Sequence, residues 1–123
     1  MPRFVLLHHQ TVPGAAKPPH FDFMLEMDGI MRTWNMMQEP LPGVTQTATL
    51  IHDHRLDYFD FEGDLTENRG TMRRCDRGDY SIMSWADEEI VVQLVGGSLV
   101  GQVKLTRLGV DSKDWDFVWL EGK

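Results

Sequence analysis

Residues 20–29 constrain this chain more than any other stretch. From His20 to Met27 apolar and polar side chains nearly alternate: Phe21, Phe23, Leu25 and Met27 fall in one register, His20, Asp22 and Glu26 in the other, and Met24 is the apolar exception. A period of two marks a β-strand with one face in a core. Asp28 and Gly29 follow, and both tolerate the positive φ that a two-residue type I′ turn demands. The return strand is then residues 30–36. That turn sets the register, so that Phe23 faces Trp34, Phe21 faces Met36 and Asp22 faces Asn35. One side of the hairpin is greasy. The other carries imidazole and carboxylate, which a hairpin does not need in order to fold.

The flanking segments predict more of the same. Residues 3–9 form an opening strand ending in His8 and His9, which an extended backbone points to opposite faces. Residues 10–19 hold Pro13-Gly14 and Pro18-Pro19 and form a loop, because proline cannot donate to a ladder. Residues 39–43 form a second loop. Residues 45–54 read as a strand, with His52 and His54 on one face and Ile51 and Asp53 on the other. Residues 58–63 are an aromatic patch ending in a turn, and residues 68–70 are another turn. Short strands are expected at 71–75 and 80–85, joined through residues 76–79. Residues 88–95 and 98–108 read as a long hairpin closed by Gly96-Gly97. The last strand, about 115–120, puts Trp115, Phe117 and Trp119 on one core-facing side. No segment sustains a 3.6-residue period over three turns. Many short strands with closely spaced turns predict an all-β fold, an antiparallel barrel or sandwich.

Composition limits the function. At 123 residues, one domain over residues 1–123 can bury a core without disulfide staples. Hydrophobic content of 41% beside 25% charged residues is that of a globular protein. The lone cysteine, Cys75, excludes an internal disulfide and fits a reducing cytoplasm, the expected location. No apolar run approaches the ~18 residues of a membrane span, so no membrane partner is expected. Residues 4–7 are too short for a signal-peptide core. A net charge of −7 argues against broad, non-specific nucleic-acid binding, which neutralises many phosphates with Lys and Arg. It leaves room for a small metal site that grips one phosphate.

His20 and Asp22 put two ligand-type side chains on one strand face, and imidazole plus carboxylate suits a borderline divalent metal such as Mn²⁺ or Zn²⁺. His9 can supply a third ligand. The plainer reading is a polar, solvated strand face. His54 and Tyr58, four residues apart, add groups that donate hydrogen bonds or move a proton near pH 7. Taken alone they read better as a capping histidine and a half-buried tyrosine. His8 and His52 read as structural or solvated, Cys75 as a small core residue, and the methionines and tryptophans as core.

The order of these motifs resembles the 3′-phosphoesterase domain of bacterial DNA ligase D. The matching pieces are His9, the run His20 to Gly29, Trp34, the Asp-His-x-Leu-Asp-Tyr of residues 53–58 and the Phe-Glu-Gly of residues 61–63. Asp76-Arg77-Gly78, residues 99–105 and Asp114-Trp115 look like the rest of that domain. Members also occur as stand-alone proteins, which fits this length. The resemblance implies a compact β-barrel with a Mn²⁺-dependent site that trims a terminal ribonucleoside from the 3′ end of a DNA primer strand and then removes the 3′-phosphate. It implies His9, His20 and Asp22 as metal ligands, with His54 and Tyr58 contacting the phosphate. DNA 3′ ends on a primer–template, and a ligase or polymerase of end joining, are the implied partners.

The basic complement departs from that family pattern. Met24 stands where the family has Arg, Gln38 where it has Lys, Gln46 where it has another Arg, and Leu7 where it has Gln. By parity Met24 lies on the metal face, so the loss is expected inside the site. Each missing cation removes a charge-assisted contact worth on the order of 1.5–3 kcal/mol. Arg32 and Arg55 are badly placed to compensate, whereas Lys17, in the 10–19 loop, can fold inward. Two other readings fit: a metal-binding barrel acting on a small phosphoester, and a non-catalytic module that binds an end-joining partner.

Overall fold

The computed structural model describes residues 1–65 and 69–122. Among these, nine strands and one 3₁₀ turn follow in the order β1 (Arg3–Gln10), β2 (His20–Met27), β3 (Ile30–Met36), β4 (Gln46–Leu50), the turn (Leu56–Phe59), β5 (Gly63–Asp64), β6 (Thr71–Trp85), β7 (Glu89–Gly96), β8 (Val100–Arg107) and β9 (Asp114–Glu121). The sheet runs β1-β2-β3-β4-β9-β8-β7-β6, and β6 returns to pair with β1. Eight antiparallel strands thus close a barrel, and closure removes the exposed edges of an open sheet. The two-residue β5 adds to the free edge of β6. No helix among the described residues is long and apolar enough to cross a membrane.

The β2–β3 hairpin has the register expected from its turn. Asp28 and Gly29 sit at φ 54° and 82°. Phe23 pairs with Trp34, Phe21 with Met36 and Asp22 with Asn35. The greasy side lines the barrel interior, where Phe23, Trp34, Trp115 and Phe117 are buried with Phe4 and Tyr80. Trp115, Phe117 and Trp119 all face that core, as strand parity predicts.

A second apolar layer lies outside the barrel. Val5, Leu7, Met24, Met31 and Met72 project from the outer face of β1, β2, β3 and β6, and Leu56, Tyr58, Phe59, Phe61 and Leu65 pack over them. The aromatic patch of residues 58–63 is therefore a lid on the sheet, begun by the 3₁₀ turn. Arg3 and Arg77 hold it: their guanidinium groups lie 4.3 and 4.9 Å from the centroid of the Phe59 ring. Such contacts contribute about 0.5–1 kcal/mol each and fix the turn that carries Tyr58.

Three local expectations change. Residues 76–79 are strand, part of the continuous 15-residue β6, not a connection between two short strands. Gly78 pairs with Phe4 on one edge and Gly96 on the other. Its glycine serves a close approach, because a Cβ there would lie 2.1 Å from the Val95 carbonyl oxygen. Asp76 accepts hydrogen bonds from the backbone N–H groups of Gly97, Ser98 and Leu99 at 2.9, 3.0 and 2.7 Å. It thereby serves the β7–β8 turn, which is closed over four residues by the N–H of Gly96 to the carbonyl of Leu99, not by Gly96-Gly97 alone.

The strand expected over 45–54 ends at Leu50. Beyond it the chain still follows β3, with Ile51 N–H donating to the Thr33 carbonyl and His54 bridging to Met31. Of the turn expected at 68–70, Asn68 lies outside the described residues, while Gly70 adopts φ 100°.

Gly78→Ala is expected to lower stability by ~1–3 kcal/mol, the usual cost of forcing atoms into packed space. Gly109→Ala, whose Cβ would meet its nearest neighbour at 3.9 Å, is the control and should be near neutral. Denaturant midpoints of the two variants check this.

Candidate functional site

Strand pairing builds the first half of the site. His9 on β1 lies directly opposite His20 on β2, so both imidazoles emerge on the outer face. Asp22, two residues along β2, shares that face. His9 Nδ1 and His20 Nε2 are 3.2 Å apart, and His20 Nε2 is 3.6 Å from Asp22 Oδ1. One ligand atom from each residue falls within a 4.8 Å cluster, and His20 and Asp22 are each only 3% exposed.

The outward nitrogens decide what this cluster can hold. His20 Nδ1 lies 2.9 Å from the Pro18 carbonyl, and His9 Nε2 lies 2.8 Å from the Arg69 carbonyl. A carbonyl oxygen only accepts, so each of those nitrogens donates, and a neutral ring then keeps its lone pair on the inner nitrogen. Two lone pairs 3.2 Å apart beside a carboxylate repel one another unless a cation lies among them. A proton or a divalent metal meets that demand. Asn35 completes the arrangement, donating from Nδ2 to Asp22 Oδ1 at 3.0 Å.

The second half depends on an irregularity. Trp34 pairs with Leu50, and regular pairing would place Asp53, not His54, opposite Met31. The bridge instead joins Met31 to His54, so one extra residue lies between. Leu50 packs against the barrel core, and unbroken alternation would send His54 the same way. The extra residue turns His54 to the outer face. There Tyr58 meets it edge-on, with ring centroids 4.9 Å apart, and His52 stacks on it at 4.7 Å. Burial lowers the His54 pKa below its usual value; Asp22 and the bond to the His52 carbonyl oppose that shift, and the charge of the His52 ring adds to it.

The two halves meet in one cleft of about 180 Å³, lined by His9, Lys17, His20, Asp22, His54 and Tyr58, with Ile51, His52, Leu65, Arg69 and Met72 completing its walls. All five residues singled out from the sequence thus share one cavity, and Lys17 does reach it. Arg32 lies elsewhere, over the Trp34 and Trp85 rings, and exposed Arg55 pairs with Asp57. His8 stacks on Phe21, away from the cleft, and Cys75 is half-buried against the barrel core.

The departures in the basic pattern look different in three dimensions. Met24 is on the outer face but fully buried in the second apolar layer, and it does not line the cleft. Gln38 and Gln46 bond each other: Gln46 Nε2 donates to the Gln38 carbonyl at 2.9 Å, and Gln38 N–H to Gln46 Oε1 at 3.3 Å. Sequence reasoning placed Asn35 opposite Asp22 without giving it a role, and it missed Thr33 and Arg69. Hairpin register was signal enough for Asn35 and Thr33. Arg69 reaches His9 through its backbone, which no side-chain pattern records.

Because the folded His54 binds its proton less readily than the unfolded residue, whose pKa is about 6.5, the unfolded state takes up more protons on acidification. Stability contributed by neutral His54 is full above pH 6.5 and is lost as pH falls below it. In a chelating buffer, the melting temperature should fall between pH 7 and pH 5, and fall less in His54→Gln. His8, lowered mainly by burial too, is present in both proteins, so the difference isolates His54.

Comparison with known proteins identifies the family of this chain. The family model for the DNA ligase D 3′-phosphoesterase domain matches residues 9–107. The multifunctional non-homologous end joining protein LigD of Mycobacterium bovis is 34% identical over 118 residues, covering 88% of this chain and 15% of the relative. LigD of Pseudomonas aeruginosa is 30% identical over 128 residues, covering 96% of this chain and 15% of the relative. The chain therefore spans about 15% of the length of these curated relatives. With a family match over most of its length, the chain belongs to the DNA ligase D 3′-phosphoesterase domain family.

Proposed function

We propose that this protein is a metal-dependent phosphoesterase that processes 3′ ends of DNA in non-homologous end joining, removing a terminal ribonucleoside and then the 3′-phosphate. The observation that carries the reading is the convergence of His9, His20 and Asp22 with His54 and Tyr58 in a single cleft. Family membership supports it.

His9, His20 and Asp22 would hold the cation. Two imidazole nitrogens and a carboxylate suit Mn²⁺, the ion implied by the family resemblance, and also Zn²⁺. When bound, the ion supplies polarisation of phosphoryl oxygens and acidification of a coordinated water. Asn35 holds Asp22 in place. Tyr58 offers the phosphate a hydrogen-bond donor from the other wall, and His54, neutral at pH 7, is suited to take up a proton and only then to donate to the phosphate. Ile51, Leu65 and Met72 keep part of the wall apolar, which strengthens each charge interaction inside.

The size of the cleft favours a terminal group over a whole nucleotide. About 180 Å³ is below the ~300–1,000 Å³ of pockets that enclose small ligands. Lys17 and Arg69 line it and stand in for the cations absent at Met24, Gln38 and Gln46. A second reading, action on a small phosphoester, is favoured by the net charge of −7, which suits short contacts better than long DNA ones. A ligase or polymerase of end joining is the protein partner that the first reading calls for.

A labelled primer–template with a terminal ribonucleotide, incubated with MnCl₂, should shorten first to a 3′-phosphate and then to a 3′-hydroxyl. His20→Ala and a chelator should each abolish this. No product would overturn the DNA-end reading, and turnover of small phosphoesters in its place would establish the second.

Lys17→Ala should slow trimming about tenfold, equivalent to ~1.4 kcal/mol. Lys17→Arg should retain the wild-type rate. Unchanged activity in the alanine variant would remove Lys17 from the phosphate contact.

Added MnCl₂ should raise the melting temperature of the wild type but not of His20→Ala, since binding to the native state alone stabilises it. Calorimetry with and without the ion checks this independently of turnover.

A further inference from the structure

His54 has defined partners at Nδ1. Thr33 Oγ1 and the His52 carbonyl oxygen each lie 3.0 Å from it. The Thr33 hydroxyl donates to the Met31 carbonyl, also at 3.0 Å. The His52 carbonyl only accepts, so it requires a hydrogen on Nδ1. Thr33 has one hydroxyl hydrogen, and the Met31 carbonyl takes it, so the threonine oxygen meets His54 as an acceptor. The two demands agree. A neutral imidazole protonated at Nδ1 carries its lone pair on Nε2. Thr33 is fully buried on β3, so water does not compete for this contact.

The geometry points to Thr33 as a positioning residue that, together with the His52 carbonyl, makes Nε2 of His54 the nitrogen offered to substrate. The inference rests on the proposed role of His54 and deepens it, naming the working atom and the residue that selects it. Asn35, two residues along the same face of β3, holds Asp22 in the same way. One strand therefore aligns the carboxylate of the metal cluster and the imidazole across the cleft from it. The extra residue that turns His54 outward and the hydroxyl that selects its tautomer act together: the first sets which way the ring faces, the second which nitrogen is free.

Nitrogen-15 NMR of protein labelled in histidine, recorded in a chelating buffer at pH 8, tests this without metal or turnover. The His54 signals are those lost in His54→Gln. Wild-type His54 should be predominantly protonated at Nδ1. Thr33→Val, nearly isosteric, should shift population toward the Nε2-protonated form and slow Mn²⁺-supported trimming about ten- to hundredfold, the usual effect of removing an outer partner. Thr33→Ser should restore both. Protonation of wild-type His54 at Nε2 would overturn the proposal, as would a valine variant with the wild-type tautomer ratio. A valine variant that changes the tautomer and leaves the trimming rate unaltered would overturn Nε2 as the working atom. If the wild type trims nothing while its tautomer still responds to Thr33, the enzyme reading falls and the positioning role of Thr33 stands.

Discussion

The pairing of His9 opposite His20 is the contact on which the rest of the site depends. Side chains alternate along a strand, so a slip of one residue between β1 and β2 would send one imidazole into the barrel. The histidines do not hold that register themselves, since their facing lone pairs push apart. Packing holds it. Phe4 and Leu6 are buried inside the barrel while Val5 and Leu7 are buried under the outer lid, so four consecutive residues of β1 are locked between two apolar layers. At ~1.5–3 kcal/mol for each fully buried side chain, this outweighs the repulsion it must contain. Carbonyls from Pro18 and Arg69 then fix which nitrogen of each ring faces inward. The result is a cluster whose electrostatic demand is built in before any cation arrives.

What was legible in the sequence was local. Asp28-Gly29 dictates its own turn, the turn dictates the β2–β3 register, and the register gives the pairing of Asp22 with Asn35. The expected barrel followed from strand number and from the family resemblance. Features that depend on distant chain were not legible. Gly78 read as a turn because glycine usually marks one, whereas it lets β1 and β7 approach β6 from both sides. The outward direction of His54 comes from one extra residue beside β3, which parity counting along 45–54 cannot detect. The five residues singled out do line one cleft, and it was motif order, not propensity, that picked them from the sequence.

The lid over the outer sheet face explains the shape of the site better than loss of charge does. Met24 is fully buried between Val5, Leu7, Met31 and Met72, beneath the aromatic residues that follow the 3₁₀ turn. An arginine there would have to be desolvated, at several kcal/mol, or would have to displace the lid that carries Tyr58. An apolar side chain at position 24 and a closely packed lid are therefore one choice. Leu7 belongs to the same choice, since it occupies the same layer. Once the strand face is dry, cationic side chains can enter the cleft only from its rim, and the two that line it, Lys17 and Arg69, lie outside the strands.

Charge supplied from loops behaves differently from charge supplied by strands. Ordering a lysine side chain such as that of Lys17 costs on the order of 1.5–2 kcal/mol of rotamer entropy, which a partner must offset at the moment of binding. The strand-borne groups carry less of that cost: His20 and Asp22 are already buried, and Asn35 and Thr33 hold Asp22 and His54 by hydrogen bonds. The site therefore divides into a rigid half, which sets geometry, and an adaptable rim, which sets attraction. In the proposed reaction the rigid half governs the chemistry at phosphorus, and the rim governs which ends are captured. A cleft of this size, with its cationic side chains at the rim, gains most from a compact, highly charged terminus and little from the length of nucleic acid behind it. The acidic balance of the whole chain pushes the same way, because it disfavours every phosphate that does not reach the cleft.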